Sequence, residues 1–198
     1  MDAPMSPESL AALPAPPAPS RSLVVGSRRG QQPSAALSLN PRRQNELLDK
    51  PPAYKRLLDA NAAAKLKRIK TTGRAVRLHP RIREQINSQL ARDAASLPSW
   101  KLAASAYVDA GLYVLTTVDV SSEDVLTKLI DAAYAFQEQT FGDEGGESSR
   151  FTVRADTNEA VTQLKYSLIG LGEEGLLNLV LSVLVWQFLL ELRDGPVT

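Results

Sequence analysis

The chain has no cysteine, a single histidine and few aromatic residues, 6% in all. The missing cysteines exclude disulfides, thiolate metal sites and cysteine nucleophiles, and agree with a reducing compartment. With His79 as its only imidazole, the chain offers no nucleophile–base pairing, and neither a phosphate loop nor a metal-ligand spacing occurs. His79 itself falls between a strand and a helix, where capping is the plain reading. Glu144 and Glu147 fall in a glycine-rich link, where solvation is. No catalytic residue, metal ligand or cofactor is expected, and the chain is not read as an enzyme. The first twenty residues lack a basic region followed by a continuous apolar core, so no signal peptide is read and the cytoplasm is the expected location.

Proline is scarce beyond residue 52. Ten of the 13 prolines (Pro4, Pro7, Pro14, Pro16, Pro17, Pro19, Pro33, Pro41, Pro51 and Pro52) lie before Ala53, in a stretch rich in Ala, Ser and Arg. Such a segment buries too little apolar surface to offset its ordering entropy. The net charge of +1 is the balance of two unlike halves: residues 1–74 carry 13 Lys and Arg against 5 Asp and Glu, and residues 75–198 carry 10 against 17. A basic tail beside an acidic domain suits a polyanion, although a charge run is as readily a solvated segment. The expected division is a disordered basic tail over 1–71, with a marginal helix or basic arm at 53–70, and a folded domain over 72–198.

Within that domain, Arg74 to Leu78 alternates apolar Val76 and Leu78 with Arg77, the pattern of a short strand. Pro80 then opens a helix to about Ala95, with Ile82, Ile86 and Leu90 on one face. Ser96-Leu97-Pro98-Ser99 stops it and offers Ser99 as N-cap of a second helix, Trp100 to about Leu115, striped by Leu102, Ala106, Ala110 and Tyr113. Ser121 with Asp124 reads as a capping box for a third helix carrying Leu126, Leu129, Ala133 and Phe136, ending near Thr140. An acidic, glycine-rich link, residues 141–149, follows.

The first order then returns. Arg150 to Ala155 alternates as a strand, and Asp156, Thr157 and Asn158 supply caps. A helix follows with Val161, Leu164 and Leu168 on one face, Gly170-Leu171-Gly172 breaks it, and a Leu- and Val-rich helix runs from Glu173 to Arg193. Val76-Arg77-Leu78 aligns with Val153-Arg154-Ala155. One strand–helix–helix unit leaves two strand edges unpaired and two apolar helix faces open, whereas two units can pair strands antiparallel and pack four helices beneath.

This recurrence resembles the ribbon-helix-helix family of the Arc and MetJ repressors, in which two chains pair strands into a ribbon that enters the major groove. The resemblance covers Gly73 to Leu192, with both halves in one polypeptide. The expected fold is mainly α with one two-stranded antiparallel ribbon, its two repeats (72–116 and 150–194, separated by an extra helix and link at 117–149) packed as an intramolecular pseudo-dimer. With its tail, the layout is most similar to tandem members that bind the overdrive element in bacterial T-DNA transfer. The resemblance implies sequence-specific binding of double-stranded DNA, as an accessory factor in DNA transfer or plasmid maintenance, or as a transcriptional repressor. It leaves room for a relaxase or ParA-like ATPase as protein partner, and implies a monomer that associates further on DNA.

With Val76, Leu78, Phe151, Val153 and Ala155 packed inward, alternation turns Ala75, Arg77, Arg150, Thr152 and Arg154 outward, and the resemblance makes these the base readers. Arginine can hold guanine O6 and N7 with two hydrogen bonds, threonine can use its hydroxyl and methyl, and alanine can meet a thymine methyl. Arg77 and Arg154, at matching positions, are the foremost candidates. The resemblance also implies a phosphate anchor at the N-terminus of the second helix, where Ser99, Trp100 and Lys101 match. The second copy departs, because Glu173 and Glu174 would repel a phosphate. Lys65, Lys67, Arg68, Lys70 and Arg74 lead into the first strand as backbone contacts whose affinity falls with salt. The rival class is a C-terminally anchored helical interaction protein, since Gly175 to Leu192 approaches the roughly 20 apolar residues that span a bilayer. Asn178, Ser182, Gln187 and Glu191 interrupt that run, so a core helix and no membrane contact are expected.

Overall fold

A computed structural model describes residues 50–66, 69–138 and 146–194. The expected disordered tail before residue 50, Lys67 and Arg68, and the link residues 139–145 lie outside them. In chain order the elements are α1 (Ala53–Lys65), β1 (Thr71–Leu78), α2 (Pro80–Ser96), α3 (Ala104–Leu112), α4 (Glu123–Phe136), β2 (Glu147–Arg154), α5 (Ala155–Gly170) and α6 (Leu177–Asp194). Among the described residues the fold is mainly α, six helices with one two-stranded antiparallel sheet.

The strands pair along their whole length, with Thr71 opposite Arg154, Arg74 opposite Phe151 and Leu78 opposite Glu147. Alternation works as the sequence predicts for most of the ribbon: Val76, Leu78, Phe151 and Val153 are buried, while Ala75, Arg77, Arg150 and Thr152 are exposed. Ala155 departs from the expectation. It is exposed and starts α5, because β2 runs directly into that helix. The single residue that separates β1 from α2, His79, has no counterpart there. His79 caps α2, its Nδ1 accepting from the Arg81 N–H at 3.3 Å, with Pro80 in the first turn where no N–H is needed.

The core lies beneath the inner ribbon face. Ile82 and Ile86 of α2, Leu164 and Leu168 of α5, and Val180, Leu181, Leu184, Val185 and Phe188 of α6 fill it. α3 and α6 cross tightly at Gly111, where a Cβ would stand 3.0 Å from the Val185 backbone. α4 covers another side of α6 with the four residues that its spacing predicts, Leu126, Leu129, Ala133 and Phe136, all buried.

Several predicted boundaries shift for local reasons. The second helix begins at Ala104 rather than Trp100, because Lys101 takes the left-handed conformation (φ 46°) and an extended step intervenes. It ends at Leu112 and tightens into a 3-10 turn, Tyr113–Thr116. The Ser121–Asp124 capping box is not formed: Asp119 instead accepts from both the N–H and the hydroxyl of Ser121, and α4 starts after Ser122. Asp156 lies inside the first turn of α5 rather than before it, and a 3-10 turn, Glu174–Leu176, precedes α6. The helix expected at 53–70 occupies Ala53–Lys65 and is a working part of the core, with Tyr54, Leu57 and Leu58 buried against α3 and its neighbours.

Candidate nucleic-acid interface

The outer face of the ribbon is open. Thr71, Gly73, Ala75 and Arg77 on β1 and Ser148, Arg150 and Thr152 on β2 are all exposed. Gly73 makes room for Arg150, whose Nε would stand 2.9 Å from a Cβ at that position. The Arg150 side chain therefore lies across the ribbon instead of standing off one strand. Lys70, exposed at the start of β1, adds a further cation at the rim, and its carbonyl accepts from the Ala155 N–H at 3.0 Å.

Two arginines that the sequence places beside these are engaged inside the molecule. Arg154 turns back against α3. Its Nε donates to Asp109 Oδ2 at 2.7 Å, its backbone N–H donates to Asp109 Oδ1 at 3.0 Å, and its guanidinium stacks 3.8 Å from the Tyr113 ring centroid. Arg74 points to the inner side, where its Nη1 donates to the Asn158 carbonyl at 3.0 Å, Asn158 Oδ1 at 2.7 Å and Thr162 Oγ1 at 2.9 Å. Burial lowers the Arg74 pKa from its ordinary value, yet a guanidinium stays charged in proteins. Arg74 thus ties β1 to α5 rather than facing a phosphate.

The expected phosphate anchor is rearranged in the same way. Ser99, Trp100 and Lys101 precede α3 by a turn instead of opening it, and Trp100 is buried. Lys65 Nζ donates to the carbonyls of Trp100 at 2.9 Å and Lys101 at 3.1 Å, so its charge fixes the loop. The first turn of α3 is formed by Ala104, Ser105 and Ala106, and Ser105 Oγ accepts from the Thr152 N–H at 3.1 Å, which sets that helix end beside β2. Lys101 and Lys70 remain exposed near this rim; Lys67 and Arg68 lie outside the described residues. At the start of α6, Glu173 accepts from the Tyr134 hydroxyl, so the acidic character expected at that end is retained.

Sequence reasoning missed a buried polar cluster. Asp93 accepts from the hydroxyls of Tyr54 and Tyr107, each at 2.6 Å, and from Gln89 Nε2 at 3.1 Å. Burial, then the bond to Asp93, raises both tyrosine pKa values above their ordinary value. The available signal was that Gln89 and Asp93 fall on the same helical face as Ile82 and Ile86. Asp109, likewise buried, sits within the apolar run of α3 and carried no other mark.

No protein-family model, curated protein or solved structure matches this chain. Among the described residues no group of metal-ligating side chains comes together. One helical stretch, Glu174–Asp194, is long and apolar enough to cross a membrane by length and composition; half of its most apolar window is buried inside the protein, as in a core helix.

Proposed function

We propose that the chain binds duplex DNA by placing the open face of its ribbon in the major groove, as an intramolecular pseudo-dimer of the ribbon-helix-helix type. The observation that carries this reading is a two-stranded ribbon with an apolar face against a helical body and an opposite face that presents Arg77, Arg150, Thr152 and Ala75. A strand pair fits the major groove, and these side-chain types match the edges of guanine, adenine and thymine there. In support of a pseudo-dimer, the alignment that lays Val76 over Val153 also lays Arg74 over Phe151, and these two are opposite one another in the ribbon. That is the register a two-fold axis through the pair would give. The crossing of α3 and α6, the second helices of the two units, is consistent with the same axis.

The role that best suits this reading is an accessory factor in DNA transfer or plasmid maintenance, in the manner of the tandem proteins that bind the overdrive element. The test is selection of bound sites from random duplex DNA at two salt concentrations. Enrichment of a short motif at both is the expected result, and the reading falls if neither yields one. Arg77→Ala and Arg150→Ala should each relax the preference at one position, whereas Lys70→Ala and Lys101→Ala should weaken all sequences alike and flatten the salt dependence.

A further inference from the structure

We infer that Asp109 determines which bases the ribbon reads, by holding Arg154 out of the groove-facing surface. The inference rests on the DNA-binding reading above and concerns a residue on a helix, remote in sequence from either strand. By strand alternation Arg154 belongs to the outer row of β2 with Thr152 and Arg150, and it aligns with Arg77 of β1, which is exposed. Its side chain is instead only 12% exposed, paired with an Asp109 side chain that is 3% exposed.

The carboxylate grips Arg154 twice. Oδ1 takes the backbone N–H, so the end of β2 is pinned to α3, and Oδ2 takes Nε, so the side chain follows the backbone inward. Tyr113, one turn further along the chain, supplies the ring on which the guanidinium lies. The clamp is incomplete, because Arg154 Nη2 is buried with no hydrogen-bond partner among the described residues. A guanidinium bound through Nε alone keeps the forked pair of donors that guanine recognition requires, but turns it away from the groove. The ribbon thus carries one active and one silenced arginine at matching positions. Its specificity is half-sided, and the asymmetry is written by a carboxylate beneath the ribbon.

Asp109→Asn separates the two grips. The amide oxygen still accepts from the Arg154 N–H and keeps the strand in place, while the charge that holds the guanidinium is gone. Site selection is run on the full chain with four sequences: wild type, Arg154→Ala, Asp109→Asn, and the double substitution. The expected result is an identical motif for wild type and Arg154→Ala. Asp109→Asn gains a guanine preference at one additional position, with discrimination of about tenfold, and the double substitution loses it. In parallel, NMR of the free protein should show the Arg154 Nε–H protected from solvent exchange in wild type and unprotected in Asp109→Asn.

Relaxation of a motif position in Arg154→Ala would mean that Arg154 already reads a base, and overturns the inference. So does an Nε–H that stays protected without the carboxylate, or one that is released with no change of motif. If Asp109→Asn proves unstable, the Arg154→Ala comparison decides alone, since that change leaves the carboxylate and the strand anchor in place. Failure of wild type to enrich any motif overturns the DNA-binding reading itself. Enrichment by wild type with a changed motif in Arg154→Ala overturns only the role of Asp109.

Discussion

The helix that follows β1, α2, turns Gln89 and Asp93 into the core, whereas the helix that follows β2, α5, turns Leu164 and Leu168 there. The two strand–helix–helix segments share an order of elements and differ in how they close. The second buries no carboxylate; its buried polar side chains are the hydroxyls of Thr157 and Ser182, the latter accepting from the His79 N–H at 3.3 Å. The first buries a carboxylate, and a carboxylate taken out of water is tolerated only when its oxygens are satisfied. One of its donors comes from outside the segment, Tyr54 on α1, and another from the segment's own second helix, Tyr107 on α3. The comparison teaches that α1 is the missing part of the first segment rather than the end of a tail.

The largest expected effect follows from that dependence. A chain shortened to begin at Lys70 loses Leu57 and Leu58 from the core and one of the two tyrosines from Asp93. It should show no cooperative thermal transition by circular dichroism, whereas removing only the residues before Lys50 should leave the transition intact. A sharp transition in the shorter chain would break the comparison, because it would make the first segment self-sufficient.

Next comes Asp93→Ala, which leaves two buried hydroxyls without their acceptor and Gln89 Nε2 with the Tyr54 hydroxyl, and should cost about 3–5 kcal/mol in urea denaturation. Carried out in a Tyr54→Phe, Tyr107→Phe background, the same change should cost less than half as much, since fewer donors are left stranded. The cluster also sets a pH limit. Burial and the bond to Asp93 raise both tyrosine pKa values in the folded chain, so the folded state holds these protons more tightly than the unfolded one. Their contribution is complete below the ordinary tyrosine value of about 10 and is lost as the pH rises beyond it. The stability curve should fall above that pH, and fall less steeply in the double phenylalanine chain.

What was legible in the sequence was whatever depends on local spacing. Period-two alternation gave Val76, Leu78, Phe151 and Val153 as the inner ribbon face, and period-3.6 spacing gave Ile82, Ile86 and the buried stripe of α4. Alternation also placed Arg77, Arg150, Thr152 and Ala75 on the open face. It failed where a tertiary partner overrides it. Arg154 is drawn inward by Asp109, 45 residues before it, a separation that leaves no periodic trace, whereas Arg74, in phase with Val76 and Leu78, follows the alternation inward to meet Asn158 and Thr162 of α5. The start of α3 was misplaced for a different reason. Ser99 has the chemistry of a cap, but the left-handed turn at Lys101, held by Lys65 from α1, carries the chain on for one more turn before the helix begins.

On the second side of the comparison, Leu168→Ala should cost about 2–4 kcal/mol, the range for a buried leucine with partial relaxation of its surroundings. Because no polar partner is stranded, this cost should not depend on pH through the tyrosine range, in contrast to Asp93→Ala. An equal pH response from both changes would show that the polar cluster and the apolar packing around Leu168 are not chemically separate.

The smallest expected effect concerns the pair at the centre of the ribbon, Arg74 opposite Phe151. Phe151 fills the inner face by apolar burial, whereas Arg74 reaches the same side through its aliphatic stem and ends on the Asn158 carbonyl, Asn158 Oδ1 and Thr162 Oγ1. Arg74→Met keeps the stem and removes the guanidinium. Solvent access to a half-buried site lets water take over part of the donor role, which limits the loss to about 1 kcal/mol. The same change should leave the DNA motif intact, since Arg74 is turned away from the open face, and should alter salt dependence far less than Lys70→Ala. A fall in affinity on every sequence, with a salt slope reduced as much as for Lys70→Ala, would instead place the Arg74 charge at a phosphate and return it to the role its position before the strand first suggested.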